Sequence, residues 1–138
     1  MSIILGLFAF TMLSDAPAPS VATAKPVASI ESEAIRSARE WLVLHDQRRW
    51  KDTYHATATS FQKLNTLERW AEVAEKVRVP LGAVISRTAL SQESIPAPPS
   101  GVEVIKFRTS FANKANAIET VSLAREGSDW KVVGIYID

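Results

Sequence analysis

The first half of the chain places its apolar residues at helical spacing, in three successive groups. The groups are Ile30, Ala34, Ile35, Ala38, Trp41 and Leu42, then Trp50, Tyr54, Ala58 and Phe61, then Leu67, Trp70, Ala71, Ala74 and Val77. Recurrence every three or four residues puts side chains on one helix face, so the pattern predicts three amphipathic helices. We expect the first to break near residues 46–49, with one long bent helix as the alternative, and Asn65 to cap the third.

Pro80 marks the change from helical to strand periodicity. The residue before a proline is pushed out of the α region, so the third helix should end there. Alternating apolar and polar residues then predict strands over 83–92, 102–112, 117–126 and 130–137. Their short connections favour an antiparallel meander.

Helices followed by a one-sided sheet predict a single two-layer α+β domain over residues 30–138, after a lead-in at residues 25–29. The four-stranded meander offers one apolar face, and the helices need such a face to cover. A twisted sheet wrapped over helices commonly leaves a cone whose open end forms a pocket. We therefore expect any ligand site to lie inside this cone.

The N-terminus indicates export. Residues 3–13 form a mostly apolar run of about eleven residues, which suits a signal peptide and is too short to span a membrane. Ala22 and Ala24 supply the small residues of a cleavage site. We expect residues 1–24 to be a signal peptide cleaved after Ala24, which would deliver the protein to the periplasm or outside the cell.

Composition excludes several kinds of chemistry. The chain has no cysteine and a formal net charge of +1, which removes thiolate sites and gives no electrostatic reason for nucleic-acid binding. His45 and His55 lack metal-ligand spacing, and we expect no metal, cofactor or catalytic residue. His45 is predicted to lie in the last turn of its helix, where a partial positive charge is favoured.

Two arginines and one glutamate are the strongest candidate site residues. Arg78 and Arg87 flank the turn between helix and sheet, and Arg87 shares the expected strand face of Ile85. Glu119 shares a face with the apolar Val121, and a carboxylate on such a face needs a partner. We expect Glu119 to pair with Arg87 or Arg78, either as a structural salt bridge or with one arginine holding an anionic ligand.

The helical aromatic residues divide into two groups. Trp41, Phe61 and Trp70 are predicted to belong to the core, because aromatic residues at helical spacing are usually buried. Trp50 and Tyr54 lie near the expected helix junction, so we place them at the rim of the pocket as candidate ligand contacts.

Several motifs together resemble a known family. They are Ala38-x-x-Trp41-Leu42-x-x-x-Asp46, Trp50, Tyr54, Phe61, Trp70, Arg78-x-Pro-Leu-Gly-x-x-x-x-Arg87, Phe111, Glu119 and Trp130-Lys-Val-Val-Gly-Ile-Tyr136. The pattern is similar to an uncharacterised family of small exported bacterial proteins, the domain of unknown function numbered four-zero-one-nine. That family often has Tyr-x-x-x-Trp where this chain has Trp50 and Tyr54 in the reverse order. The resemblance implies a cone-shaped fold like those of cystatins or nuclear-transport-factor-two-like domains, and it implies no activity.

Three functions remain open from the sequence. The favoured one is a non-enzymatic exported domain that binds a small ligand or a protein, with a homodimer through the outer face of the sheet as one form of partner. The second is an enzyme that uses Glu119 as acid or base, and the third is a purely structural envelope or interaction domain. A pocket closed by Trp41, Trp70 and Phe111 would favour the structural or interaction role over the other two.

Overall fold

The computed structural model describes residues 31–138, which form four helices followed by four strands. The elements are α1 (Glu33–Asp46), α2 (Trp50–His55), α3 (Thr59–Leu64), α4 (Leu67–Arg78), a 3₁₀ turn (Val79–Leu81), β1 (Val84–Ile95), β2 (Val102–Phe111), β3 (Lys114–Glu126) and β4 (Asp129–Ile137). This order confirms the predicted α+β class. The predicted signal peptide and lead-in lie outside the described residues. None of the described helices is long and apolar enough to cross a membrane.

Hydroxyl side chains begin the two longest helices. The Ser32 hydroxyl accepts a hydrogen bond from the Ile35 amide at the start of α1. The Thr66 hydroxyl accepts one from the Arg69 amide at the start of α4. Such caps satisfy amide groups that have no partner within the helix. The prediction of Asn65 as the cap of α4 is wrong, because the Asn65 side chain instead donates backwards to the Phe61 carbonyl.

The second predicted helix is interrupted by the sheet. α1 ends at Asp46, within the expected break, but the segment from Trp50 onward splits into α2 and α3. Between these helices the Ala58 amide donates to the Val132 carbonyl at 2.8 Å, and the Val132 amide donates to the Ala56 carbonyl. These backbone hydrogen bonds to β4 replace those of a continuous helix, which explains an interruption that helical periodicity could not reveal.

The sheet is an antiparallel meander in the order β1-β2-β3-β4. Its strands are longer than predicted at two places. β1 continues to Ile95 because its last residues pair with the start of β2, and β3 begins at Lys114, which pairs with Phe111. Ladder hydrogen bonds therefore extend the strands beyond the point where the apolar alternation fades.

The core lies between α1, α4 and the inner face of the central strands. Its buried members are Ala34, Ala38, Trp41, Leu42, Trp70, Ala74, Ile105, Phe107, Val121, Leu123 and Val132. Phe111, the last residue of β2, is also buried. The prediction that Ile85 shares the inner face of Arg87 is wrong. A register shift between Val84 and Ser86 leaves Ile85 70% exposed while Arg87 points inwards.

Thr53 connects the two buried tryptophans of the helical layer. Its carbonyl accepts a hydrogen bond from Trp41 Nε1 at 3.0 Å, and its hydroxyl accepts one from Trp70 Nε1, also at 3.0 Å. The same hydroxyl donates to the Trp50 carbonyl at 2.9 Å. A residue of a six-residue helix thus satisfies the indole groups of two longer helices.

We expect Thr53→Val to destabilise the protein by about 1–3 kcal/mol, because Trp70 Nε1 would remain buried without an acceptor. Urea unfolding followed by far-ultraviolet circular dichroism measures the change. In a Trp70→Phe background, Thr53→Val should cost clearly less, since the indole donor has been removed as well. Equal costs in both backgrounds would contradict the assignment of this hydrogen bond.

Candidate functional site

Four charged side chains meet where the end of the helical layer contacts the sheet. Arg87 lies at the centre, with Nε 2.7 Å from Glu119 Oε1 and Nη1 2.8 Å from Asp46 Oδ2. Its Nη2 donates to both carboxylates, at 3.0 Å to Asp46 and 3.2 Å to Glu119. The guanidinium group therefore joins the last residue of α1 to β3 through a pair of bidentate contacts.

Arg78 completes the cluster from the last residue of α4. Its Nε and Nη2 donate to Asp46 Oδ1 at 3.3 and 3.2 Å, and its Nη1 donates to the Gly82 carbonyl at 2.6 Å. The guanidinium carbon lies 4.7 Å from the centre of the Phe111 ring. Two guanidinium groups thus face two carboxylates. We call Asp46, Arg78, Arg87 and Glu119 the ion cluster.

The ion cluster is largely shielded from water, and only the Asp46 side chain is partly exposed, at 19%. Glu119 is fully buried, and the side chains of Arg78 and Arg87 are almost fully buried. The Thr109 hydroxyl also donates to Glu119 Oε1. Burial disfavours the charged form of Arg87, but its hydrogen bonds to Asp46 and Glu119 outweigh that effect, so the pKa of Arg87 is raised. Each charge is therefore held by its partners.

The structure places the predicted pair in contact and adds a residue. Glu119 pairs with Arg87, as one of the two predicted arrangements required, whereas Arg78 binds Asp46 instead. Sequence reasoning did not assign Asp46 to the cluster. The available signal was its position at the predicted end of α1, but which way that end faces depends on the packing of α1 against the sheet.

We expect Glu119→Gln to destabilise the protein by about 3–5 kcal/mol, because it removes one charge of a buried pair and leaves Arg87 incompletely neutralised. Chemical denaturation gives the value. Glu72→Gln is the matched control, since Glu72 pairs with Lys76 and Arg69 on an exposed helix surface and should change stability by about 0.5 kcal/mol or less. An unchanged melting temperature for Glu119→Gln would refute the energetic importance of the pair.

His45 lies beside the ion cluster within a cage of tryptophans. It is only 2% exposed. Its ring stacks on Trp41 with centroids 5.2 Å apart, meets Trp50 edge to face at 5.3 Å, and is tilted against Trp70 at 5.9 Å. Its Nδ1 has no hydrogen-bond partner among residues 31–138. An imidazole in such surroundings has little access to the water that would stabilise its charged form.

The environment keeps His45 uncharged. Burial and, after it, the positive charges of Arg78 and Arg87 lower its pKa to about 4, while Asp46 opposes this effect without overcoming it. The prediction of a favourable positive charge on His45 is therefore wrong. The residue does lie in the last turn of α1, but desolvation outweighs the interaction with the helix end.

We expect His45 to make the fold sensitive to acid. Its folded pKa lies below the ordinary value of 6.5, so its contribution is complete above pH 6.5 and is lost as the pH falls towards 4. The loss should reach about 3 kcal/mol, at about 1.4 kcal/mol per tenfold change in proton affinity. Denaturant unfolding at pH 7, 5.5 and 4.5 measures it.

His45→Phe should flatten this pH dependence, because phenylalanine has no titrating group. The exposed His55 provides the control, and His55→Phe should retain the acid sensitivity. The same slope in His45→Phe and in the unmodified protein would show that another group causes it.

Comparison with known proteins places this arrangement in a family. A model for a family described as "Protein of unknown function (DUF4019)" matches residues 37–135, a range that contains the whole ion cluster and His45. The chain belongs to this family. None of the curated proteins matches it.

The two candidate rim residues of the DUF4019 domain are both partly buried and pack against the core. Trp50 forms one wall of the cage around His45, and the Tyr54 hydroxyl donates to the Asn65 carbonyl at 2.7 Å. The ion cluster and Trp50 are connected through His45, whereas Tyr54 faces the α3–α4 junction. The structure therefore places Arg78, Arg87 and Glu119 in the ion cluster, Trp50 in the wall of the cage and Tyr54 apart from both.

The described residues also form depressions of about 70 to 350 Å³. One, of about 70 Å³, lies between α4 and β4 and is lined by His45, Trp70, Val73, Ala74, Val77, Ile135 and Ile137. Within residues 31–138 no group of three or more histidine, aspartate or glutamate side chains is arranged to hold a metal ion. The chemistry available at the ion cluster is charge pairing by arginine forks, and these forks already hold carboxylates of the chain itself.

Proposed function

We propose that this chain is an exported, non-enzymatic domain that acts by binding another protein through the outer face of its sheet. The observation that carries this proposal is the state of the two arginines. Their donors are turned towards Asp46, Glu119 and the Gly82 carbonyl. An anionic ligand would have to displace these internal acceptors from a buried site, which is costly.

The aromatic residues support the same conclusion. Trp41, Trp70 and Phe111 are all buried and fill the centre of the interior, which leaves an open depression of about 190 Å³ beside α1 as the space between helix and sheet. By the criterion set from the sequence, a filled interior favours an interaction or structural role. Binding would then take place on the surface.

The alternative of an enzyme using Glu119 has less support. A general acid or base must come within hydrogen-bond distance of its substrate. Glu119 is fully buried, and both of its oxygens accept hydrogen bonds from Arg87. A proton-transfer role would first require the ion cluster to open.

The outer face of the sheet carries exposed groups suited to a protein partner. Lys106, Thr120 and Tyr136 lie in register across β2, β3 and β4, and Thr88 pairs with Arg108 across β1 and β2. Lys106 and Arg108 are exposed and form no salt bridge within residues 31–138. Exposed cations on the same sheet face as a tyrosine favour a partner with an acidic surface.

Export is part of the proposal and rests on residues 1–24, whose apolar run and small residues at 22 and 24 are typical of a signal peptide. A periplasmic or secreted location brings the domain into contact with envelope proteins. Folding without disulfides is compatible with that location, because the buried core and the ion cluster supply the cohesion.

A photo-crosslinking amino acid at Thr88 should join the protein, expressed with its own N-terminus, to a discrete second protein in intact cells. Placed at Lys51, which is exposed on α2, it should give no such product. Charge reversal of Lys106 and Arg108 to glutamate should reduce the Thr88 product by at least about tenfold, since like charges then face an acidic partner. Gel analysis and mass spectrometry identify the product.

Native mass spectrometry of the same preparation tests whether the protein binds a small molecule instead. The proposal predicts a chain that starts at Lys25 without bound small molecules. Extra mass that is released on denaturation would replace protein binding by small-ligand binding. Retention of residues 1–24 would overturn the proposed export but not the proposed protein binding.

A further inference from the structure

The outer edge of β4 is open along its last residues. β4 ends the sheet, and the Val132 amide and carbonyl bond outwards to Ala56 and Ala58 rather than to β3. At the other end, the Asp138 amide and carbonyl both bond to Ile118 of β3. These two positions fix which backbone groups along β4 face the open edge.

Alternation along the strand assigns the groups between them. In an antiparallel ladder, successive residues bond alternately to one neighbour and to the other side. Counting back from Asp138, Tyr136 bonds towards β3, whereas Ile137 and Ile135 present their N–H and C=O groups to the edge. No backbone partner for these four groups exists within residues 31–138. The edge therefore offers two donors and two acceptors in one row.

An apolar surface flanks this row. The side chains of Ile135 and Ile137 line the depression below α4, together with Val73 and Val77. Val73 is 39% and Val77 46% exposed. On the opposite face of the strand, Tyr136 is 66% exposed. We call Ile135, Tyr136, Ile137, Val73 and Val77 the edge patch.

The other edge of the sheet differs. β1 contains register shifts between Val84 and Ser86 and between Ala89 and Ser91, and such bulges disrupt pairing with another strand. β4 has a register shift of its own, where Val133 is the extra residue between Val132 and Gly134, but the row from Ile135 to Ile137 lies beyond it and contains no proline and no charged side chain. Within these three residues the edge lacks the features by which natural sheets protect their edges.

We propose that the edge patch pairs with the same patch of a second copy, so that two sheets join into one through antiparallel β4 strands. A two-fold axis at Tyr136 sets Ile135 of one copy opposite Ile137 of the other. This register satisfies all four open backbone groups of each chain at once. An interface of this kind is self-complementary, as two-fold symmetry requires.

Side chains and charges fit the same axis. The two Tyr136 rings become direct cross-strand neighbours, a pairing that favours aromatic residues. Asp138 of one copy lies opposite Gly134 of the other, so no like charges face each other along the strands. Val73 and Val77 of α4 line the same depression as Ile135 and Ile137, so the second copy would bring a matching apolar surface beside them.

This dimer is distinct from one through the face of the sheet, which the sequence suggested. Edge pairing leaves Lys106 and Arg108 exposed in both copies and produces a continuous outer face twice as wide. The inference is therefore independent of the proposed partner binding, and either can fail without the other.

Sedimentation velocity of the exported protein at about 100 µM should show a dimer, a concentration well above the Kd of a micromolar association. Val77→Lys should weaken the dimer by at least about tenfold, because it places a charge in the apolar part of the interface. Lys106→Glu, on the sheet face, should leave the dimer intact. A monomeric unmodified protein at this concentration would overturn the proposal, and so would a dimer sensitive to Lys106→Glu but not to Val77→Lys.

A disulfide test fixes the register in a chain that has no cysteine of its own. The two Tyr136 positions form a non-hydrogen-bonded pair with Cα atoms about 4.5 Å apart, within the range that a disulfide spans. Tyr136→Cys should therefore form a covalent dimer on mild oxidation. Ile85→Cys, equally exposed but on β1, should remain monomeric on a non-reducing gel. Crosslinking through Ile85→Cys instead of Tyr136→Cys would contradict pairing through β4.

Discussion

The contact of Arg87 with two carboxylates is the interaction on which the arrangement of helices and sheet depends. Arg87 holds Glu119 on β3 with one side of its guanidinium group and Asp46 at the end of α1 with the other. Arg78 repeats the contact to Asp46 from the end of α4. Because buried charges are costly without partners, all four side chains constrain one another. The ends of two helices are thereby fixed against the sheet.

The position of His45 follows from this constraint. Asp46 anchors the end of α1, so the preceding residue is directed into the tryptophans rather than into water. The same neighbourhood contains Arg78, whose positive charge adds to the effect of burial and keeps the imidazole neutral. The ion cluster and the aromatic cage thus share the end of α1. The charge of Arg78, which binds Asp46, also opposes protonation of His45.

Much of the fold follows from periodicity, because helical and alternating patterns report directly on which side chains face the core. The need of Glu119 for a partner was visible for the same reason, since it lies on an apolar strand face. Three features depended on contacts that no local pattern contains. The split between α2 and α3 comes from hydrogen bonds to Val132, the outward turn of Ile85 from a register shift, and the role of Asp46 from the packing of α1.

The distribution of satisfied and open polar groups is the strongest guide to where this domain interacts. Arg78, Arg87 and Glu119 are bound to one another or to Asp46, so the charges of the ion cluster are already paired within residues 31–138. The sheet edges, in contrast to the ion cluster, include polar backbone groups without partners in the described part of the chain. Bulges interrupt β1, and a register shift at Val133 and contacts with residues 56–58 interrupt the start of β4, whereas Ile135 and Ile137 have outward backbone groups without partners among residues 31–138. An unprotected apolar edge favours association, so this short row is where the proposed second copy would pair.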